Sequence, residues 1–125
     1  MSNPILTKTY SAGGAIGPNL IVKWGAADFT VVAATAATDR SIGVTRAGVT
    51  VASGETVDVV VKGEYEIKAG GSITRGDPIT SDSAGKAVTA APATAANNPI
   101  IGYAKQSASS ADLVLVDVNP QTFQG

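Results

Sequence analysis

Apolar positions in this chain come in short β-branched runs that glycine and polar residues interrupt before any helical period is established. Leu20-Ile-Val-Lys23, Phe29-Thr-Val-Val-Ala33, Ile42-Gly-Val-Thr45 and Val57-Asp-Val-Val-Val-Lys62 predict strands. Glu64-Tyr-Glu-Ile-Lys68 alternates charged and apolar residues, as a half-buried strand does. Turns are expected at Ser53-Gly54, Gly63, Gly70-Gly71 and Gly76-Asp77. The same cadence fills the second half: Ser72 to Thr80, a turn over Ser81 to Gly85, Lys86 to Thr89, Pro99 to Lys105 and Asp112 to Val118. Asp82-Ser-Ala-Gly85 predicts a short hairpin with a bulged glycine, because the Asp82 carboxylate can accept a backbone N–H two residues on and Gly85 tolerates φ > 0. Residues 33–39 and 90–96 are the two places where a helical turn competes with strand, and Pro92 opposes the second.

The pattern predicts an all-β chain: a small β-barrel or sandwich of short antiparallel strands with an extended N-terminal arm. Residues 1–19 read as that arm, since Ser11-Ala-Gly-Gly-Ala-Ile-Gly-Pro18 supports no periodicity, and residues 20–125 read as a single β domain. An internal repeat is also visible. Ile42-Gly-Val-Thr-Arg-Ala47 followed by Val57 to Val61 parallels Ile101-Gly-Tyr-Ala-Lys-Gln106 followed by Leu113 to Val118, which predicts two similar hairpins on opposite sides of the body.

Composition narrows what such a body can do. Hydrophobic residues make up 44% of the chain but aromatics only 5%, so the core is built from small side chains and favours oligomerisation or docking on a larger partner. The net charge is −1 with basic residues scattered singly, which disfavours nucleic-acid binding. There is no histidine or cysteine, and the carboxylates are dispersed, so general acid–base, nucleophilic and thiolate–metal chemistry lack their usual residues. Neither Gly13-Gly14-Ala-Ile-Gly17 nor Gly70-Gly71-Ser-Ile-Thr-Arg-Gly76 ends in the Gly-Lys-Ser/Thr of a P-loop. Arg75-Gly76-Asp77 spells an adhesion tripeptide but falls where a turn needs glycine and aspartate. The first residues do not form a secretory signal, and no apolar run approaches the roughly 20 residues of a membrane span. No catalytic residue, metal, cofactor, small-molecule substrate, nucleic acid or membrane is expected. Pro4, Ile5, Leu6, Tyr10 and Trp24 are instead expected at an interface with a partner or a sister subunit.

The ordered set Gly54-Glu-Thr-Val-Asp-Val-Val-Val-Lys-Gly-Glu-Tyr-Glu-Ile67, Ile73-Thr-Arg-Gly-Asp-Pro-Ile-Thr80, Asp82-Ser-Ala-Gly-Lys-Ala-Val88 and Ile101-Gly-Tyr-Ala104 resembles the small capsid decoration, or cement, proteins of tailed phages. The resemblance covers about residues 29–118 and is weakest in the N-terminal arm. Members of that family sometimes carry a recombinase label, against which the missing P-loop and basic surface speak. The resemblance implies a compact β-barrel-like body, no enzymatic activity, and a homo-oligomer, a trimer before a dimer. It implies a virion protein made in the host cytoplasm that binds the major capsid protein on the outer capsid surface and stabilises the shell. Deleting residues 2–12 is then expected to weaken attachment without unfolding the body. The alternative is a small β-domain that binds carbohydrate or a host surface as an adhesion module, which would need exposed aromatic rings.

Overall fold

The fold was obtained as a computed structural model that describes residues 3–36, 39–46, 50–90 and 97–124. Among the described residues nine strands run in chain order: β1 (Asn3–Ala12), β2 (Ile21–Trp24), β3 (Thr30–Ala33), β4 (Ser41–Thr45), β5 (Thr56–Lys68), β6 (Pro78–Ser81), β7 (Ala87–Thr89), β8 (Asn97–Ala104) and β9 (Leu113–Gln124). All but β1 follow the apolar runs of the sequence, and the expectation of an all-β chain holds. Residues 91–96 lie outside the described residues, as do residues 37 and 38, so the second helical alternative and part of the first fall there.

All nine strands join one sheet in the order β1-β3-β2-β4-β5-β9-β8-β6-β7, and β1 pairs with β5 as well. The first five strands therefore close into a ring. The long strand β5 belongs to both halves of the molecule. Its edge opposite β1 is taken by β4 at Val59 and Val60, then by β9 from Gly63 to Lys68. Inside the ring, Ala12, Ile16, Val22, Val31, Val51, Val57 and Val59 form one core. On the ring's outer face, Ile21, Val44 and Val60 join Ile79, Ile101, Val114, Val116 and Val118 of the other strands in a second core. Adjacent residues Ile21 and Val22 thus enter different cores. Both are fully buried, which explains why β2 shows no polar alternation. Each fully buried Val or Ile contributes roughly 1.5–3 kcal/mol, so many small side chains replace the few large ones the composition lacks.

Two sequence expectations change. Gly63 is not a turn: it pairs with Pro4 on one side and Val118 on the other, at φ +108°, and β5 runs through it because ladders on both edges hold it. The two repeat-related hairpins, β4–β5 and β8–β9, do not sit on opposite sides. They are neighbours, joined by the antiparallel β5–β9 ladder. Residues 3–12 of the extended arm are ordered as strand β1. They pair along β5 from Ser11↔Thr56 to Asn3↔Glu64, on the β5 edge opposite the one that β4 and β9 take. The following segment is pinned by polar contacts. Thr45 donates its hydroxyl to the Gly17 carbonyl at 2.8 Å and accepts the Leu20 N–H at 3.0 Å, while the Asn19 amide donates to the Glu66 carbonyl at 2.8 Å.

One turn design recurs at Ala52–Glu55, Thr74–Asp77 and Ser109–Asp112. In each, the fourth residue's carboxylate accepts the first residue's N–H (2.7, 2.9 and 3.2 Å). The fourth N–H donates to the first carbonyl (3.1, 3.0 and 3.1 Å). The third residue has positive φ: Gly54 at 88°, Gly76 at 94° and Ala111 at 74°. Its N–H donates to a buried alanine, Ala12, Ala104 or Ala69, whose own N–H returns to the fourth carbonyl. A strand (β5, β6 or β9) starts immediately afterwards. The carboxylate satisfies a backbone donor that the tight turn would otherwise leave unpaired. This geometry accounts for Arg75-Gly76-Asp77. The Asp77 carboxylate is occupied by the Thr74 N–H and by the Thr89 hydroxyl at 2.9 Å, so the tripeptide is the middle of a structural turn.

Candidate functional site

The chain's exposed large apolar side chains are Ile5, Leu6, Trp24, Phe29, Tyr103 and Leu113 among the described residues. Two groups of them involve residues expected at an interface. The first lies at the start of β1, where the register with β5 slips between Pro4 and Leu6 and again between Leu6 and Thr7. A bulge re-aims side chains, and here Ile5 is turned outward to 75% exposure with Leu6 at 43%. Pro4 pairs with Gly63 in the same stretch. Among the described residues, β3 meets β1 only at Ser11 and Ala12, so the β1 edge before them takes no strand. Irregular register and Lys8 blunt that edge against pairing.

The second group is built where β1, β2 and β3 end together. Trp24 closes β2 opposite Val31, and Tyr10 near the end of β1 meets it edge to face, with ring centroids 5.3 Å apart at 87°. The β2–β3 loop, Gly25 to Phe29, is closed by Gly25 N–H to the Thr30 carbonyl (2.7 Å), Thr30 N–H to Ala27 (3.3 Å) and the Thr30 hydroxyl to Asp28 (3.3 Å). Its last residue, Phe29, sits at φ +56°, a left-handed conformation in which a bulky residue is an outlier. The Ser11 N–H of β1 donates to the Phe29 carbonyl at 2.9 Å and fixes that geometry. The ring is 75% exposed, and with half-exposed Trp24 it borders an open cleft of about 380 Å³ lined by Trp24 to Phe29.

The structure brings Tyr10 and Trp24 together and sets Ile5 and Leu6 apart from them. Leu6 and Tyr10 are four residues apart on one strand, roughly 13 Å. Sequence reasoning missed Phe29, which it placed at the start of a strand. Its signal was an aromatic residue directly after Ala-Ala-Asp in a short connection between two β-branched runs, where glycine or asparagine is usual.

Charges elsewhere serve the fold. The Asp39 carboxylate accepts the N–H groups of Thr35 (2.8 Å) and Ala36 (3.1 Å) and the Thr35 hydroxyl (3.1 Å), and pairs with Lys23 at 3.0 Å. Partial burial pushes its pKa up, but these donors outweigh it and hold the carboxyl below its ordinary value. Glu64 pairs with Lys105 and raises the lysine's pKa by hydrogen bonding to its ammonium. Among the described residues no three acidic, histidine or cysteine side chains are grouped to hold a metal ion.

Comparison with known proteins adds a family. A family model described as phage cement protein matches residues 2–119. No curated protein matches the sequence. Among solved structures, the N base of the head fiber protein gp8.5 of bacteriophage phi29 is similar at a TM-score of 0.65. It is 20% identical, over 91% of this chain and 93% of that one. At that identity the likeness supports the fold.

Proposed function

The chain belongs to the phage cement protein family, and from that premise we propose that it is a structural virion protein that binds the outer surface of the assembled capsid and stabilises the shell. The family match over residues 2–119 carries the reading, since it takes in every strand from β1 to most of β9. The physics of the body supports a binding role. Histidine and cysteine are absent from the sequence, and the carboxylates of Asp39, Glu55, Asp58, Glu64, Asp77, Asp82 and Asp112 are engaged in turns, hydrogen bonds or ion pairs, while the exposed apolar groups stand on strand ends and loops. A protein that binds only the expanded lattice stabilises that lattice by mass action.

The partner in this reading is the major capsid protein, and the chain acts as a homo-oligomer, a trimer before a dimer, made in the host cytoplasm and carried on the virion. Several weak contacts from one oligomer gain avidity without a strong single contact. Pro4, Ile5 and Leu6 at one end of β1, and Tyr10 and Trp24 at the other, are the contact residues for shell or sister subunit. Purified protein incubated with mature capsids lacking it should co-sediment with them and raise their resistance to heat, and should not co-sediment with unexpanded precursors. Capsids equally heat-resistant with and without it would refute the proposal.

A further inference from the structure

Phe29 occupies a position that backbone sterics reserve for glycine or asparagine. Its φ of +56° is costly for an aromatic residue, yet the ring packs against little of its own chain and remains 75% exposed. A residue that strains the backbone without filling the core has a use outside the fold. We infer that Phe29 is an anchor, backed by Trp24 and Tyr10, that inserts into an apolar pocket on the surface of the assembled capsid shell. The inference rests on the capsid-binding reading above and names the part of the chain that makes the contact.

Three observations select that occupant. First, the loop around the ring is Gly25, Ala26, Ala27 and Asp28, so one charged side chain accompanies two exposed rings. A sugar site would need several converging polar groups to satisfy hydroxyls, whereas an apolar pocket needs none. Second, Tyr10 braces Trp24 edge to face and the Phe29 carbonyl is tied to β1, so the Trp24 ring and the Phe29 backbone are already held in place before docking. Third, the area is small. The exposed parts of the three rings amount to roughly 300 Å². A stable pair of two copies needs about 800 Å² from each partner. A knob of this size therefore suits one of several repeated contacts on a lattice, where avidity supplies the remainder.

The test uses the full chain and mature capsids of its own phage stripped of the protein. Phe29→Gly gives the loop the residue its backbone favours, and Phe29→Asn, also tolerant of positive φ, replaces the ring by a polar group. Both variants should melt at or above the wild-type temperature and keep its mass by light scattering. Their capsid affinity should fall roughly 30-fold or more, the loss typical of a hot-spot ring. Wild-type affinity in both variants would overturn the inference while leaving the capsid reading intact. Failure of the wild type itself to bind capsids would overturn both. A change in mass would assign Phe29 to a subunit contact and overturn it. So would neutral oligosaccharides that shift the emission of Trp24, the one tryptophan of the chain, in wild type but not in Phe29→Gly.

Discussion

Replacing Gly102 by alanine tests the packing argument most severely. Gly102 lies in β8 between Ile79 of β6 and Val118 of β9, at φ +153° and next to a register slip after Ile100. A Cβ there would stand 1.8 Å from the Asp117 carbonyl oxygen, a gap that must open to at least 3.0 Å, and the obstacle is backbone. Either the β8–β9 ladder breaks at this row or Ile101, fully buried beside it, is levered out of the core. Two lost backbone hydrogen bonds at about 1 kcal/mol each, plus about 1–3 kcal/mol of backbone strain, give roughly 3–5 kcal/mol. That is a large share of the about 5–15 kcal/mol that keeps a domain folded. Urea unfolding followed by circular dichroism, at fixed protein concentration, should show a lower midpoint at unchanged slope. Gly14→Ala is the control. Nothing lies within 4 Å of its Cβ position, so it should be neutral or stabilise by about 0.4–1 kcal/mol through the unfolded chain. A Gly102→Ala protein within about 0.5 kcal/mol of wild type would refute the close-approach reading.

Other outcomes follow from the same geometry. Alanine at Glu55, Asp77 or Asp112 should each cost about 1–2 kcal/mol in urea unfolding, because each leaves one turn N–H without its carboxylate acceptor. Asp39→Asn should lower stability by about 1–2 kcal/mol at neutral pH. The folded carboxyl titrates below its unfolded value, so the contribution is present above about pH 4 and disappears as pH falls through the folded value; thermal melts of mutant and wild type should therefore converge in acid. Deletion of residues 2–12, expected from sequence to spare the body, should instead abolish cooperative unfolding. It removes the strand that closes the ring and the alanine that accepts the Gly54 N–H, and a normal melt of the truncated protein would show that β1 is dispensable.

Strand positions were legible because β-branched runs and glycine-rich turns act locally: they restrict a few dihedrals whatever the rest of the chain does. The Asp82–Gly85 turn was found for the same reason, and there the Asp82 carboxylate accepts the N–H groups of Ala84 and Lys86 at 2.8 and 2.9 Å. The likeness of the two Ile-Gly hairpins was legible too. In the fold both glycines stand against backbone, with Cβ positions 2.4 Å from the Val60 carbonyl oxygen at Gly43 and 1.8 Å from that of Asp117 at Gly102.

By itself the sequence determined an all-β chain, a core of small side chains, the absence of histidine and cysteine chemistry, and a family resemblance spread over its turns. Only the tertiary structure decided that β1 closes a ring on β5, that Gly63 is held extended between two ladders, and that Ile21 and Val22 serve different cores. It also decided that Phe29 leaves the strand for a strained, exposed loop end beside Trp24 and Tyr10. The physical reason is common to all four. Strand partners lie dozens of residues apart, and which edge or face a residue occupies depends on the segment that arrives beside it.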